Sequence, residues 1–199
     1  MQGIVVTNQL NPKTALETLS KDAIQYIVVH HAAADSCTWT DINAWHKNNG
    51  WACAGYNSFV TKTGEVYILR GYHVGAQTLG YNAKSWGICL EGNYDTSKIS
   101  ALQLNALINH IIDVKNDIGK SVTVLGHRDL LRTTCPGKNI DMVRVSTLIS
   151  AYNSINILKK HGVISSPEYW QLAITDDAKA VNKDYLAALV QNMGAKLNG

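Results

Sequence analysis

Two histidines and one cysteine, each close to the end of a predicted strand, are the residues of this sequence best suited to chemistry. His30 ends the predicted strand 25–30, His127 follows the predicted strand 122–125, and Cys135 lies eight positions after His127. Two imidazoles and one thiolate are good ligands for zinc, and three protein ligands leave a fourth position for water. Zinc can bring the pKa of that water to about 7 and can polarise a carbonyl group.

The same residue types also fit a structural role, and the spacing alone leaves that alternative open. A free cysteine is usually a small core residue, and a histidine at a strand end is often an ordinary hydrogen-bonded residue. His31 follows His30 and points the opposite way on a strand, so we interpret it as structural, with an exchange of roles between the two as the alternative. Asp129 is interpreted as a residue that holds the loop of His127, because such groups orient metal-bound imidazoles.

Alternating strands and helices must position these side chains. The helices are predicted to begin after capping boxes at Thr38 and Ser100, to end at Gly50 and Gly119, and to include a third segment over 141–153. Residues 1–23 show no clear periodicity. The order of elements over residues 24–153 indicates an α/β domain with one central sheet covered by helices. Short apolar runs predict the strands at 25–30, 56–61, 65–69, 85–91 and 122–125.

The end of the chain has a different pattern. Residues 155–199 show helical patterns and no strand pattern. One predicted helix ends at Gly162, a second begins at Ser166 and Pro167, and a third follows Asn182. The sequence therefore predicts a first domain over residues 1–154 and a small all-helical segment over residues 155–199.

The composition is that of a folded, soluble chain of 199 residues, 46% of them hydrophobic and 17% charged. A net charge of +3, without a dense run of Lys or Arg, argues against nucleic acid as a partner. No apolar run approaches the ~20 residues of a membrane-spanning helix, and the N-terminus lacks the pattern of a secretory signal peptide. We therefore expect synthesis in the cytoplasm, no membrane partner, and four cysteines that are free thiols or metal ligands.

Four stretches of the sequence carry a family resemblance. They are IQYIVVHHAA, WHKNNGWACAGYNSFVTKTGEVYILR, GYNAKSWGICLEGN and GHRDLLRTTCPG. In this order they resemble the type 2 N-acetylmuramoyl-L-alanine amidase family, which includes the amidase-type lysozymes of phages and the peptidoglycan recognition proteins. The resemblance covers about residues 24–150, and the WHKNNGW…GYN stretch is especially similar to the phage lysozyme branch.

The resemblance implies a fold, a cofactor and a set of site residues. The expected fold is a central mixed sheet flanked by helices, with Zn²⁺ in a surface cleft of a catalytic domain over residues 1–154. His30, His127 and Cys135 match the three zinc ligands of the family. Tyr56 matches a tyrosine beside the zinc-bound water, where a phenol can stabilise the developing oxyanion, and Thr133 occupies a second catalytic position.

The implied activity is hydrolysis of the amide bond between N-acetylmuramic acid and L-alanine in bacterial peptidoglycan. Without a signal peptide, such an enzyme is expected to reach the cell wall after release, as a phage or prophage endolysin does. The rival interpretation is a peptidoglycan receptor without catalysis, although non-catalytic relatives typically lose a zinc ligand. A glycosidase would need two apposed carboxylates, which these motifs do not offer.

The sequence departs from the family pattern at the positions that assist catalysis. Many relatives have a Lys where this chain has Thr133, and the adjacent Arg132 could supply the charge instead. Another branch uses a Glu at the position of Cys89. Glu91, two residues further along the strand, faces the same side and could assist, with a structural role as the alternative.

Two further departures and three tryptophans surround these positions. Asn57 replaces a common family His, and Gln77 stands where relatives often have His. Trp39, Trp45 and Trp51 are predicted to pack the first helix on the sheet, although one of them could line a groove for sugar.

Three roles are open for residues 155–199. The favoured one is a module that binds the cell wall and raises the local concentration of the enzyme. The second is self-association through the C-terminal helices, since about 45 residues make a marginal domain on their own. The third is a helical cap packed on the first domain.

Overall fold

A six-stranded mixed sheet forms the centre of the computed structural model, which describes residues 2–176 and 181–197. Its strands are β1 (Ile4–Val5), β2 (Tyr26–His31), β3 (Ser58–Val60), β4 (Val66–Ile68), β5 (Ser85–Leu90) and β6 (Thr123–Gly126). The spatial order is β1-β4-β3-β5-β2-β6. β3 and β4 pair antiparallel, whereas the other neighbouring pairs in this order are parallel.

Five α-helices accompany the sheet in the described ranges. They are α1 (Trp39–Asn48), α2 (Ala101–Ile118), α3 (Met142–Lys160), α4 (Pro167–Thr175) and α5 (Lys183–Leu197). The predicted fold class, a central mixed sheet with helices and a helical C-terminal segment, is confirmed. None of the helices in these ranges combines the length and the apolar character that a membrane crossing requires.

Side chains of β5 alternate between two apolar clusters, one on each face of the sheet. Trp86, Ile88 and Leu90 belong to the larger cluster, which they share with α2 and α3. Cys89 belongs to the smaller cluster, which contains Ile42 of α1. Every residue of β5 is buried, which is the pattern expected for a strand covered on both faces.

The register of β2 determines which side chains meet at the carboxyl end of the sheet. β2 lies between β5 and β6 and runs parallel to both, so the three strands end on the same edge. Val29 is paired with Gly126, and His30 is paired with Cys89. His30 is the residue after Val29 and His127 is the residue after Gly126, so the two predicted imidazole ligands lie side by side at the ends of neighbouring strands. Crevices outside the carboxyl ends of strands are the usual ligand sites of α/β sheets.

Two helix starts show how far the local sequence determines the structure. At α1 the predicted capping box is confirmed: Thr38 Oγ1 accepts from Asp41 N, and Asp41 Oδ2 accepts from Thr38 N. At α2 only half of the predicted box forms. Ser100 Oγ accepts from Gln103 N, but the Gln103 side chain turns inward and donates to the carbonyl of Val60. The buried Gln103 amide needs partners at both of its ends: it donates to the carbonyls of Val60 and Glu91 and accepts from the Tyr94 hydroxyl. These bonds outweigh the second bond of the box.

Two further expectations require correction. Residues 1–23, where no strand was predicted, contain β1, whose residues Ile4 and Val5 pair with β4 at one edge of the sheet. The helix predicted over 141–153 continues without a break as α3 to Lys160, because the sequence offers no Gly or Pro before Gly162. The predicted domain boundary at residues 154 and 155 therefore falls inside a helix, and the division into two domains stays a prediction.

α4 and α5 differ in how they meet the rest of the chain. α4 packs against α2 and α3, and the Tyr152 hydroxyl of α3 lies within hydrogen-bond distance of both Asn105 Oδ1 (2.6 Å) and the carbonyl oxygen of Gln171 in α4 (3.0 Å). α5 is mostly exposed. It contacts the preceding segment through Leu189 and through Asn192, whose Nδ2 donates to the carbonyl of Val163.

Candidate metal centre and its cleft

His30, His127 and Cys135 lie together at the carboxyl ends of β2 and β6. One nitrogen of each ring and the sulfur of Cys135 all lie within 4.8 Å of one another. The two ring centroids are 4.5 Å apart, and His30 Nδ1 lies 3.5 Å from Cys135 Sγ. The structure thus brings together the three residues predicted as metal ligands, and it places His30 rather than His31 in the group.

The loop that carries His127 and Cys135 is held by its own hydrogen bonds. Arg128 N donates to the carbonyl of Cys135 (2.7 Å), and the Arg128 guanidinium donates to the carbonyl of Gly137 (2.7 Å). Asp129 Oδ2 accepts from Gly126 N (2.8 Å), which ties the loop to the end of β6. These bonds hold the thiol next to the imidazoles.

Burial determines the protonation of the three side chains. The pKa of His30 is lowered to about 3, first by burial and then by the charge that His127 would carry. Burial lowers the pKa of His127 as well. Burial raises the pKa of the Cys135 thiol to about 11. The neutral imidazoles therefore offer the lone pairs that a metal needs, and the thiol would lose its proton on binding the metal.

The donor set fits a metal ion of the zinc type. His127 Nε2 is buried and has no hydrogen-bond partner among the described residues. Buried polar atoms are nearly always hydrogen-bonded, so an unpartnered ring nitrogen here indicates a missing partner. Two imidazoles and a thiol suit zinc, whereas calcium and magnesium prefer oxygen ligands.

Tyr56 lies beside this centre. Its ring centroid is 5.2 Å from that of His30, and its side chain hydrogen-bonds Cys89. The pKa of Tyr56 is raised well above its ordinary value, first by burial and then by the nearby sulfurs of Cys89 and Cys135. The phenol therefore keeps its proton at neutral pH and is a hydrogen-bond donor.

The candidates for the missing family Lys and Glu lie in different places. Thr133 is exposed and lines the cleft, and its Oγ1 accepts from Cys135 N (3.2 Å), which leaves the hydroxyl proton for another acceptor. Arg132 is exposed and is not among the residues that line the cleft. Glu91 accepts from Ser36 Oγ (3.0 Å) and from a backbone N–H, so both of its oxygens hold loops together.

Two neighbouring polar residues have structural partners. His31 is buried, and its Nδ1 accepts from Tyr94 N (3.0 Å). Asn57 is fully buried and connects three segments: Nδ2 donates to the carbonyls of Gly71 and His73, and Oδ1 accepts from Gly87 N. The exchange of roles between His30 and His31 therefore has no support in the structure.

A cleft of about 410 Å³ opens over the candidate centre. It is lined by the three predicted ligands together with Trp51, Tyr56 and residues from the surrounding loops. Trp51 is 40% exposed, and its ring stands 4.4 Å from that of His46. Trp39 packs with the smaller core cluster, and Trp45 is exposed but does not line the cleft, so Trp51 is the one of the three placed to contact a ligand.

Two residues that support the cleft were missed from the sequence. Arg70 is 5% exposed, and its guanidinium donates to the carbonyls of Ala54 and Val74 (both 2.6 Å). His46 Nδ1 accepts from Gly55 N (2.8 Å). Both contacts hold the loop that precedes Tyr56. The stretch WHKNNGW…GYN, which contains His46, could have indicated a role for that residue. The sequence around Arg70 gave no such indication, since a lone Arg is usually exposed.

Fold and site together define an α/β protein with a three-ligand candidate metal centre at the carboxyl edge of its sheet, open to a surface cleft. Comparison with known proteins agrees with this class. The family model described as "N-acetylmuramoyl-L-alanine amidase" matches residues 20–138. Peptidoglycan-recognition protein SC2 of Drosophila melanogaster is 35% identical over 129 residues, which cover 59% of this chain and 70% of that protein.

Similar proteins also occur among phage endolysins and among solved amidase structures. The endolysin of Enterobacteria phage K11 is 28% identical over 118 residues, covering 56% of this chain and 78% of the endolysin. The structure of N-acetylmuramoyl-L-alanine amidase LysC from Clostridium intestinale superimposes with a TM-score of 0.69 at 26% identity, covering 75% of this chain and 98% of LysC. The chain belongs to the N-acetylmuramoyl-L-alanine amidase family.

Proposed function

We propose that this chain is a zinc-dependent amidase that hydrolyses the bond between N-acetylmuramic acid and L-alanine in bacterial peptidoglycan, and that it acts as an endolysin in host lysis. The observation that carries the proposal is the complete set His30, His127 and Cys135 within 4.8 Å, in one cleft with Tyr56. The similarity to the phage K11 endolysin supports the lytic role.

His30, His127 and Cys135 would hold the zinc ion. Zinc bound there supplies a Lewis acid and a water of lowered pKa. Tyr56, protonated because its pKa is raised, would turn its hydroxyl proton from Cys89 to the carbonyl oxygen of the substrate as negative charge develops on it. Thr133 provides a second donor, because its oxygen already accepts from Cys135 N and its proton remains available.

The rival function is peptidoglycan binding without hydrolysis. The similarity to a peptidoglycan-recognition protein gives it a specific basis. Against it stands the intact set of donors, because a receptor does not need a buried thiol and two neutral imidazoles around one point. The chemical groups released from the cell wall distinguish the two functions.

The first experiment compares the wild type with Cys135→Ala and with the matched control Cys37→Ala, which replaces a buried cysteine outside the ligand set. Purified proteins are assayed for zinc content and are incubated with cell-wall sacculi. The wild type is expected to release new amino groups but no new reducing sugars, Cys135→Ala to lose zinc and activity, and Cys37→Ala to keep both. Full activity of Cys135→Ala would disprove the ligand assignment, and no product from the zinc-loaded wild type would favour the receptor.

The second experiment tests the donor beside the centre. Tyr56→Phe keeps the ring and its packing but removes the phenol proton. Removal of one preorganised donor typically lowers kcat by about 10²–10³-fold. We expect that loss with unchanged zinc content. A Tyr56→Phe enzyme with wild-type kcat would exclude Tyr56 from the reaction while leaving the ligands unaffected.

For residues 155–199 we propose that cell-wall binding resides in α5. α4 is packed against α2 and α3, whereas α5 exposes a row of apolar side chains, namely Leu186, Val190 and Met193. A fluorescent protein fused to residues 155–199 is expected to sediment with sacculi. Dimerisation of the fusion without sedimentation would instead support self-association.

A further inference from the structure

The two ring nitrogens of His30 face different partners. Nδ1 points toward Cys135 Sγ at 3.5 Å, and Nε2 lies 2.5 Å from Gln77 Oε1. A metal at the candidate centre needs the lone pair of Nδ1, which requires the ring proton to be on Nε2. Heavy-atom positions do not distinguish the two tautomers of an imidazole or the two ends of an amide, so the surrounding partners must decide.

A chain of hydrogen bonds decides the orientation, starting from a group that can only accept. The carbonyl of Tyr81 lies 2.8 Å from Ser85 Oγ, so the single hydroxyl proton of Ser85 is donated to it. Ser85 Oγ can then only accept from Gln77, 2.7 Å away, so the amide end that faces Ser85 is the NH₂ group. The other end, Oε1, faces His30. Two lone pairs cannot face each other at 2.5 Å, so His30 Nε2 must carry the proton.

The remaining contacts of Gln77 are consistent with this orientation. The hydroxyl of Thr78 donates to Gln77 Oε1. Asn82 Oδ1 accepts from the backbone N–H groups of both Gln77 (2.8 Å) and Thr78 (2.9 Å), which fixes the segment. The side chain also fills the space left by Gly87, where an added Cβ would lie 2.7 Å from Gln77 Cγ and Cδ. Gln77 is thus held by hydrogen bonds at both ends of its amide and by packing.

We propose that Gln77 is a positioning residue that, through Ser85 and the Tyr81 carbonyl, holds His30 in the Nε2–H tautomer and directs the Nδ1 lone pair toward the metal. Partners of this kind typically contribute 10–100-fold to metal affinity. The consequence for zinc rests on the proposed function, whereas the tautomer is a property of the metal-free protein. A neutral amide in this place accepts the proton of the ring without adding a negative charge near the centre.

The experiment uses the full chain and three variants. Gln77→Leu removes the acceptor, and Gly87→Ala pushes the Gln77 side chain away from His30 without changing a polar group. Gln9→Leu is the matched control, because it makes the same replacement at an exposed position outside the site. The readouts are the ¹⁵N and ¹H resonances of the His30 ring in metal-free protein and the zinc affinity in competition with a chelator.

We expect a proton on His30 Nε2 and a hydrogen-bonded Nε2–H resonance in the wild type and in Gln9→Leu. Gln77→Leu and Gly87→Ala are expected to lose that resonance and to bind zinc about 10–100-fold more weakly. A wild-type proton on Nδ1, or an unchanged affinity in a folded Gln77→Leu variant, would overturn the proposal. A third outcome separates the two claims. If the wild type shows Nε2–H and Gln77→Leu loses it, but neither the wild type nor any variant binds zinc, the positioning role stands and the zinc-dependent function fails.

Discussion

Replacement of Arg70 tests whether a buried guanidinium supports the cleft. Its Nε and Nη1 donate to the carbonyls of Ala54 and Val74 at 2.6 Å, and Nη2 lies 3.4 Å from the carbonyl of Cys53. One of these loops leads to Tyr56, and the other precedes Gln77. We predict that Arg70→Met lowers the free energy of unfolding and also lowers activity, because both loops lose their common donor.

The magnitude follows from the two short hydrogen bonds. Hydrogen bonds to a charged group contribute about 1.5–3 kcal/mol each, which gives roughly 3–6 kcal/mol for the pair. The variant also no longer buries a charge, which offsets part of the loss, so we expect a net destabilisation of about 2–4 kcal/mol. For a chain of this length, 1 kcal/mol corresponds to about 2–4 °C in Tm, so the melting temperature should fall by roughly 5–15 °C.

The assay is urea unfolding together with lysis of sacculi at a temperature where every variant is folded. Arg70→Lys should be no better than Arg70→Met, because a single ammonium cannot reproduce the planar set of donors that reaches several carbonyls. Arg132→Met changes an exposed Arg and should alter stability by less than about 0.5 kcal/mol. If Arg70→Met unfolds within that same margin of the wild type, the supporting role assigned to the guanidinium is refuted.

Three other predictions concern helix ends, the ligand loop and the C-terminal segment. Gly119→Ala should cost about 1 kcal/mol in urea unfolding, because Gly119 ends α2 at a φ of +77°, whereas Gly194→Ala inside α5 should not destabilise. Asp95→Asn should weaken zinc retention against a chelator, because Asp95 accepts from Thr134 Oγ1 and from the backbone of the ligand loop. Those bonds lower the pKa of Asp95, so their stabilisation is present at neutral pH and is lost as the pH falls through that lowered pKa. A chain ended after Asp176 should keep its Tm within a few degrees, because α5 is mostly exposed; a large drop in calorimetry would show that α5 is part of the core.

The strand ends that carry His30 and His127 could be predicted from short-range sequence information, whereas the ligand set of His30, His127 and Cys135 was predicted from the family resemblance. A buried β-branched run ends at His30, a second apolar run ends just before His127, and parallel strands in one sheet align such ends. The number of residues between His127 and Cys135 then restricts the sulfur to the same neighbourhood. That the three donors hold zinc stays a proposal, and only their proximity is a property of the fold.

The supporting contacts could not be predicted because their partners are remote in sequence. Gln103 breaks its capping box to reach the carbonyl of Val60, 43 positions earlier. Gln77 meets His30 across 47 positions and takes its polarity from Ser85. The local sequence around Gln103 and Gln77 does not indicate which carbonyl or ring nitrogen each side chain will meet. That depends on the register in which β2, β3 and β5 pair.

The boundary of the C-terminal segment also depends on packing that the sequence pattern does not reveal. The change of sequence pattern near residue 155 shows where strands are no longer predicted. It does not show which of the later helices pack on the first domain. Tyr152, in α3, is fully buried and bonds to both α2 and α4, so α4 helps to cover the core of the first domain. We therefore place the start of the proposed wall-binding module after α4, because α4 is packed against α2 and α3 whereas α5 keeps an exposed apolar face.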